Sequence, residues 1–175
     1  IEHEKLKQQI IDFDLLTTMD LFPVADDVFC CLGTTQAKAK NQVEYRKVDF
    51  HYCYNLAKRA LAEGASRFFL VSSLGAEKGS KNSYLNLKGE LEHEISLLNY
   101  KAFYIFRPSL LLGNRKENRP GERFAQWISQ IIPFIGPWKK YKPINAQKVA
   151  EAMIKVAAQT QKDVHLYESE MMQHM

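Results

Sequence analysis

Five short apolar runs, separated by longer stretches with helical spacing, set the architecture expected of this chain. The runs lie at 9–13, 28–32, 68–71, 102–112 and 164–167. They are continuous rather than alternating, which is typical of strands covered on both faces in a parallel sheet. The stretches between them predict helices over 49–63, 82–99, 122–132 and 146–159. This order predicts right-handed βαβ units and an α/β fold.

Local signals give the limits of the first helix and the number of domains. Asp49 is a residue type that caps helix N-termini, and Gly64 stands where a left-handed residue ends a helix. No repeat, low-complexity segment or linker divides the 175 residues, a length typical of one domain. We therefore expect a single domain over 1–175, with Asp49 capping its first helix.

Composition and charge narrow the class of protein. With 46% hydrophobic and 25% charged residues, the chain has the profile of a globular protein with a full core. It has no apolar stretch of the ~18–20 residues that a membrane span needs, and no leader that suggests secretion. The net charge of +4 is spread over scattered Lys and Arg residues. Neither a membrane nor nucleic acid is therefore an expected partner.

Cysteine and histidine usage argues against a metal site. Cys30 and Cys31 lie inside an apolar run, Cys53 lies apart, and none forms a CxxC pair. Cysteines of this kind behave as small hydrophobic residues, which favours a reducing cytoplasm and no zinc. The histidines show no metal-ligand spacing; they are His3, His51, His93, His165 and His174.

Four of the predicted strands end in small or polar residues. Ligands of parallel sheets bind beyond the carboxyl ends of the strands, so these residues are candidates for a binding cleft. They lie at 12–13, 33–35, 72–73 and 107–109. Small polar residues also end strands in α/β proteins generally, so the pattern alone does not separate a cleft from ordinary strand ends.

Tyr84 and Lys88 are the sharpest candidates for chemistry. Four positions apart, they share one face of the predicted helix, within or beside the apolar stripe of Leu87, Leu91 and Ile95. A lysine on the buried side of a helix needs a reason. An ammonium beside a phenol lowers the phenol pKa toward a catalytic range. Such a pair can act as acid for a carbonyl oxygen or as base for an alcohol.

The same spacing occurs a second time, at Tyr54 and Lys58, so spacing alone does not identify a site. Context favours Tyr84, because a strand ending at Ser72 and Ser73 precedes its helix, and Ser73 can donate to the same substrate oxygen. No serine strand precedes Tyr54. We interpret Tyr54 as helix packing, with Lys58 in solvent.

Two further segments leave two interpretations open. Trp127 and its apolar neighbours, including Ile131 and Phe134, form either helix core or the wall of an apolar pocket. Residues 114–123 mix both signs of charge and form either a solvated loop or the border of a substrate entrance. Neither segment identifies a substrate.

Several segments, taken in chain order, resemble the short-chain dehydrogenase/reductase superfamily. The resemblance is to its atypical branch of the Tat-interacting-protein type and the bacterial relatives of that branch. The segments are VFCCLGTT at 28–35, VDF at 48–50, FLVSSLGA at 69–76, YLNLKGE at 84–90, FRPSLLLG at 106–113 and RPGE at 119–122. Their order over nearly the whole chain is more specific than any one motif.

The resemblance implies a Rossmann-like parallel sheet that binds NADP(H) or NAD(H), with NADP(H) favoured. It implies a catalytic set of Ser73 (or its neighbour Ser72), Tyr84 and Lys88, in which Lys88 also holds the nicotinamide ribose. The implied cofactor contacts are Asp12 and Phe13 beside the adenine, Leu32, Gly33, Thr34 and Thr35 along the ribose and pyrophosphate, Ser72, and Pro108, Ser109 and Leu110 facing the carboxamide.

The chain departs from this family at its beginning. The family opens with a strand, a glycine-rich turn and a helix, and the turn lets backbone N–H groups approach the pyrophosphate. This chain starts at Ile1 and has no GxGxxG segment, so the run at 9–13 matches the family's third strand. We expect a sheet without its first strand–helix–strand unit, and a natural protein that carries this unit ahead of Ile1.

The sequence therefore predicts an NAD(P)H-dependent oxidoreductase of the atypical short-chain type, acting on an unidentified carbonyl or alcohol. Two alternatives stay open. One is an NADP(H)-binding sensor or interaction module with little redox activity; the other, ranked last, is sugar-nucleotide epimerisation or dehydration. The expected partners are the dinucleotide and a small carbonyl substrate, and a homodimer is left open.

Overall fold

The computed structural model describes residues 2–20, 22–34, 38–113 and 141–175. Its strands are β1 (Asp27–Cys30), β2 (Arg67–Val71), β3 (Ala102–Arg107), β4 (Leu111–Leu112), β5 (Ile144–Asn145) and β6 (Asp163–Glu168). Four of them form one parallel sheet in the order β1-β2-β3-β6, and β4 pairs with β5 in parallel. The predicted parallel sheet is confirmed.

Among the described residues, helices follow β1, β2, β5 and β6, which confirms the α/β class. They are α1 (Gln42–Arg46), a π-helical segment (Lys47–Tyr52), α2 (Cys53–Ala62), α3 (Ser83–Ser96), α4 (Ala146–Ala157) and α5 (Ser169–Gln173). The first three follow one another without a break. Together they make one long helical connection between β1 and β2.

The central strands are buried on both faces, which explains their continuous apolar sequences. Phe68 and Phe103 pack in a core with residues of α2 and α3, whereas the neighbouring Phe69 and Tyr104 pack in a second core with residues of α4. All four side chains are nearly inaccessible to solvent. Burial of each such side chain contributes about 1.5–3 kcal/mol, so both helical layers are held to the same sheet.

A row of stacked rings crosses the sheet on the α4 side. Phe29 and Phe69 have ring centroids 4.4 Å apart, Phe69 and Tyr104 4.6 Å, and Tyr104 and His165 5.3 Å. These residues are direct partners in the strand register. The row therefore favours the register that brings the carboxyl ends of the strands level.

Asparagine side chains begin three of the helices. Asn41, Asn82 and Asn145 each accept a backbone N–H from the first turn of α1, α3 and α4, which satisfies donors left free at helix starts. Gly64 has φ +99° after α2, as predicted. The predicted cap at Asp49 is wrong, because the helical connection already begins at Gln42 and Asp49 lies buried within it.

Residues 9–13 form no strand, contrary to the prediction. Ile10 is fully exposed, and within the described sheet β1 pairs only with β2. A strand needs a neighbour for its backbone N–H and C=O groups, and an apolar run carries no information on whether that neighbour exists. Asp14 instead ties this segment to the π-helical segment, through Lys47 and the hydroxyl of Tyr52, both at 2.8 Å.

The predicted strand over 102–112 is two strands. Pro108 lies between β3 and β4, and it has no N–H with which to continue the ladder. The prediction for 164–167 is confirmed by β6. The predicted helix over 122–132, the segment 114–123 and the apolar group around Trp127 lie outside the described residues.

Gly89 allows α3 to pack directly on the loop after β2. A Cβ at this position would lie 2.3 Å from backbone atoms of Glu77 and Lys78. We expect Gly89→Ala to lower the free energy of unfolding by about 1–3 kcal/mol, measured by urea unfolding. His93→Ala, at an exposed position of the same helix, is the control and should change it by less than about 0.5 kcal/mol. Equal losses in both variants would contradict the clash.

Candidate functional site

The carboxyl ends of β1, β2 and β3 meet at one edge of the sheet, as parallel pairing requires. Backbone hydrogen bonds continue past the ends of β2 and β3. The N–H of Ser72 donates to the carbonyl of Phe106 at 2.7 Å, and that of Leu74 donates to the carbonyl of Pro108 at 2.9 Å. The predicted cleft residues at 72–73 and 107–109 therefore lie side by side at this edge, and Gly33 and Thr34 follow β1.

Helix α3 carries Tyr84 and Lys88 to the same edge. The side chain of Asn82 accepts the N–H groups of Tyr84 and Leu85 at 3.0 and 3.1 Å, which starts the helix directly before the pair. Tyr84 is half-buried against the core between α2 and α3. Lys88 is only 4% exposed, so its predicted place on the buried side of the helix is confirmed.

An ion pair with Asp49 accounts for the buried Lys88. The Lys88 ammonium lies 2.9 Å from Asp49 Oδ1, and the Asp49 side chain is 1% exposed. Burial by itself lowers the pKa of Lys88, but the charge and hydrogen bond of Asp49 outweigh it, so the pKa of Lys88 lies above its ordinary value. Lys88 is therefore charged throughout the neutral pH range.

Asp49 also reaches the segment after β1. Its second oxygen, Oδ2, accepts the backbone N–H of Thr34 at 2.7 Å. The backbone of Gly33 lies beside the same ion pair, because a Cβ there would be 3.4 Å from Asp49 Oδ1 and 3.8 Å from Lys88 Nζ. One carboxylate therefore joins the end of β1 to the lysine of α3.

The sequence prediction missed Asp49 as a site residue. A usable signal was present, because Asp49 stands between Val48 and Phe50 in a helix expected to pack on the sheet. A carboxylate in that position needs a cation or several donors once buried. Lys88, already predicted to be buried, is the matching cation.

Tyr45, on α1, adds a second phenol to the group formed by Tyr84, Lys88 and Asp49. It is 3% exposed, and within the described residues its hydroxyl is buried without a hydrogen-bond partner. Burial, followed by the charges of Asp49 and Tyr84, raises the pKa of Tyr45. The hydroxyl therefore stays protonated and has a hydrogen bond to give.

The two predicted serines have different surroundings. Ser72 donates to Glu92 at 2.5 Å, and Glu92 accepts two bonds from the Arg107 guanidinium, at 3.0 and 2.5 Å. This network fastens α3 to the ends of β2 and β3. Ser73 is half-buried, and its hydroxyl makes no hydrogen bond to a described residue. Of the two serines, Ser73 has the hydroxyl available to a ligand.

The residues after β3 lie at the predicted edge, but one hydroxyl there is already engaged. Ser109 donates to the carbonyl of Lys142 at 2.5 Å and lies 2.9 Å from the hydroxyl of Ser169. The carbonyl of Leu110 accepts the N–H of Ile144 at 3.0 Å. The Ser109 side chain therefore fastens this stretch to the segments around β5 and α5.

The residues predicted to flank an adenine lie in the segment before β1. Asp12 is exposed, and its side chain accepts the N–H of Asp14 at 2.9 Å. The ring of Phe13 lies 5.3 Å from that of Tyr52 in the π-helical segment. Leu32 packs against the core of α2 and α3. Thr35, the remaining predicted contact, lies outside the described residues.

The second Tyr-x-x-x-Lys pair is placed as interpreted from the sequence. Tyr54 packs against the core beside α2, and Lys58 is exposed, with its ammonium 5.8 Å from the centre of the Tyr54 ring. No buried carboxylate holds Lys58 among the described residues. Burial and an acidic partner therefore distinguish Lys88 from Lys58.

The cysteines are free thiols in the described chain. Cys30 and Cys53 are buried and Cys31 is exposed. The ranges 2–20, 22–34, 38–113 and 141–175 hold no group of three residues able to bind a metal ion. Within those same ranges, no helix combines the length and apolar character needed to cross a membrane.

Comparison with known proteins places the chain among relatives of similar sequence. It is 35% identical over 153 residues to the protein HTATIP2 of Rattus norvegicus, covering 87% of this chain and 62% of that one. It is 38% identical over 138 residues to the mitochondrial protein FMP52 of Candida albicans, covering 77% and 59%. The chain thus spans about three fifths of the length of these relatives. No family model matches.

Solved structures with the same fold are more distant in sequence. UDP-glucose 4-epimerase of Thermotoga maritima superposes with a TM-score of 0.64 at 13% identity, over 90% of this chain and 60% of that one. The dTDP-4-dehydrorhamnose reductase of Bacillus anthracis, solved with NADP, gives 0.61 at 13% identity, over 90% and 61%. At this identity the likeness shows a Rossmann-type fold and says nothing of substrate.

The cytoplasmic location expected from the cysteines is contradicted by the names of the fungal relatives. The relatives in Candida albicans and Debaryomyces hansenii, 38% and 35% identical, are both mitochondrial proteins by name. The expectation rested on free thiols. Free thiols argue only against an oxidising compartment, and they are compatible with every reducing compartment.

The two lines of evidence agree on one assignment. The order of the matched segments and the relatives at 35–38% identity indicate the same group of proteins. The parallel sheet, with Tyr84 and Lys88 at its carboxyl edge, has the Rossmann-type architecture of NAD-bound and NADP-bound neighbours. The chain is thus similar in sequence to HTATIP2 and FMP52 and has a Rossmann-type fold, which supports its resemblance to the atypical branch of the short-chain dehydrogenase/reductase superfamily.

Proposed function

We propose that this chain carries the proton-transfer site of an NAD(P)H-dependent oxidoreductase that acts on a carbonyl or alcohol carbon. The observation that carries the proposal is the buried Lys88 ammonium. It lies one helical turn after Tyr84 and beside Gly33, at the carboxyl edge of the sheet. A buried ammonium that lies near a phenol, and beside a glycine with no side chain to block a ligand, suits acid–base chemistry on a bound ligand.

Three side chains of this chain divide the proton chemistry. Tyr84 gives its hydroxyl proton to the substrate oxygen in reduction and takes one from it in oxidation. Lys88 stabilises the phenolate that Tyr84 becomes, since a nearby positive charge favours the ionised form. Ser73, whose hydroxyl is uncommitted among the described residues, donates a hydrogen bond to the same substrate oxygen and positions it.

The residues at this edge fit a dinucleotide. Gly33 leaves room beside the ion pair where a Cβ would stand, and the buried Tyr45 hydroxyl lacks a partner within the described chain. Ribose hydroxyls fit beside Gly33 because they can accept hydrogen bonds from the Tyr45 hydroxyl and the Lys88 ammonium. When bound, a nicotinamide ring supplies or accepts the hydride, which protein side chains cannot do. The proposed contacts are Asp12, Phe13, Leu32, Gly33, Thr34, Thr35, Ser72, Lys88, Pro108, Ser109 and Leu110.

The first test is a calorimetric titration of the purified protein with NADPH and, separately, with NADH. We expect saturable binding of at least one, with NADPH preferred. Binding should stabilise the protein against heat, because a ligand that binds only the folded state raises its stability by mass action. Absence of binding to both dinucleotides would overturn the proposed function.

The second candidate function is an NADP(H)-binding sensor or interaction module with little redox activity. The Asp49–Lys88 ion pair favours it, because Asp49 already neutralises the charge that Lys88 would otherwise direct at Tyr84. The two functions differ in one readout. A sensor binds NADPH without consuming it in a broad panel of aldehydes and ketones, whereas the oxidoreductase consumes it with at least one.

Two wider features of the protein are proposed on the same evidence. Residues 1–175 are taken as one domain, because the two cores of the described chain share a single sheet. The names of the fungal relatives support a mitochondrial location for this chain. Organelle fractionation of the source cells, with an antibody to the protein, tests the location directly.

A further inference from the structure

We propose that Asp49 is a positioning residue of this site, which holds the segment after β1 and Lys88 in one fixed relation. The inference rests on the proposed function, because it gives Asp49 a task in placing both groups against a dinucleotide. It concerns a side chain that touches neither the substrate nor the reacting atoms.

The geometry gives each oxygen of Asp49 a separate task. Oδ2 accepts the Thr34 N–H at 2.7 Å, and Oδ1 accepts the Lys88 ammonium at 2.9 Å. Both partners lie at the site, one at the end of β1 and one on α3. Movement of either partner away from Asp49 would leave a buried carboxylate oxygen without its bond, which is costly. The two elements are therefore linked through one side chain.

The local backbone around Asp49 supports a functional reading. Asp49 lies in the π-helical segment, Lys47–Tyr52. Such segments are rare and occur frequently at functional sites, because a wider turn changes the direction in which a side chain leaves the helix. Here the side chain that leaves the irregular turn is the one that reaches Thr34 and Lys88.

Stability alone is a weak explanation of this ion pair. Burying two charges costs several kcal/mol per ion, and an apolar pair of similar volume is often as stable. The Arg67–Asp27 pair, whose side chains are 23% and 24% exposed, avoids most of that cost. A fully buried pair at the carboxyl edge is better explained by a need for a fixed ammonium there.

The variant Asp49→Asn removes the negative charge of the side chain and keeps nearly the same shape. Asparagine keeps an oxygen that can accept the Thr34 N–H but loses the charge that holds Lys88. We expect the slowly exchanging Lys88 Nζ signal in ¹⁵N NMR to be lost, Thr34 amide protection to persist, and NADPH to bind about tenfold more weakly. That tenfold change corresponds to about 1.4 kcal/mol.

The control is Asp27→Asn, which removes the acid of the Arg67 pair at the opposite end of the sheet. It should lower stability without changing the Lys88 signal or the affinity for NADPH. A merely structural role for Asp49 would give the same result in both variants: reduced stability and unchanged NADPH affinity.

A measurement on the wild type covers the case in which Asp49→Asn does not fold. NADPH titration should shift the Thr34 amide and Lys88 Nζ signals together, with one midpoint. Separate midpoints, or a shift of one signal alone, would overturn the inference. If the wild type binds neither NADPH nor NADH, the proposed function fails and the inference fails with it. If the wild type binds but Asp49→Asn binds equally well with its Lys88 signal intact, the inference alone fails.

Discussion

Replacement of Tyr84 by phenylalanine is expected to reduce NADPH-dependent turnover by about 10²–10⁴-fold, the usual contribution of a positioned acid or base. The ring would stay in place against the core of α2 and α3, where Tyr84 is half-buried. Only the hydroxyl is lost. The free energy of unfolding and the affinity for NADPH should therefore remain close to wild type.

The chain supplies a matched control for this experiment. Tyr54 precedes Lys58 with the same spacing on another helix, and Lys58 is exposed. Tyr54→Phe removes the same hydroxyl group in the same sequence context without touching the site, so turnover should be unchanged. The measurement is the rate of NADPH oxidation with the best carbonyl of a broad panel. Wild-type turnover in Tyr84→Phe would rule out the proposed mechanism.

Replacement of Lys88 by methionine is expected to cost about 3–5 kcal/mol of stability, because it leaves a buried carboxylate without its cation. Asp49 is only 1% exposed and cannot recover the lost interaction from water. Urea unfolding at neutral pH measures the loss. Lys58→Met, at the exposed position of the second pair, is the control and should change stability by less than about 0.5 kcal/mol.

The stability difference between wild type and Lys88→Met should also depend on pH, in a direction that the pKa of Lys88 determines. The pKa of Lys88 in the folded protein lies above its ordinary value of 10.5. Its contribution to stability is therefore fully present below pH 10.5 and is lost as the pH rises through the folded pKa. Wild type and Lys88→Met should thus differ most at neutral pH and converge in strong alkali. A difference that grows above pH 10.5 would contradict the raised pKa.

The strands of the central sheet could be predicted from the sequence because strands buried on both faces consist of apolar residues. Phe68, Phe69 and Leu70 have to be apolar, since helices cover both faces of β2. The run at 9–13 looks the same in sequence but has no neighbouring strand in the described chain. Hydrophobicity reports that a segment prefers to be covered, whereas strand pairing depends on what lies next to it.

The site was predictable only in part, for a related reason. Tyr84 and Lys88 are neighbours on one helix, so their relation is visible as spacing. The contacts of Asp49 join three separate elements, and the bond to Thr34 spans 15 positions. The π-helical segment also breaks the regular helical count on which spacing arguments depend. The acid was therefore assigned the commoner task of capping a helix.

The π-helical segment also limits where insertions and deletions can be accepted in this chain during evolution. Deletion of one residue within Lys47–Tyr52 would restore an ordinary helix and remove the wider turn from which the Asp49 side chain leaves. Asp49 would then lose the direction that brings it to Thr34 and Lys88. Related chains that keep this site should accept insertions and deletions in the loops on either side, while the stretch from Gln42 to Ala62 should keep a constant number of residues.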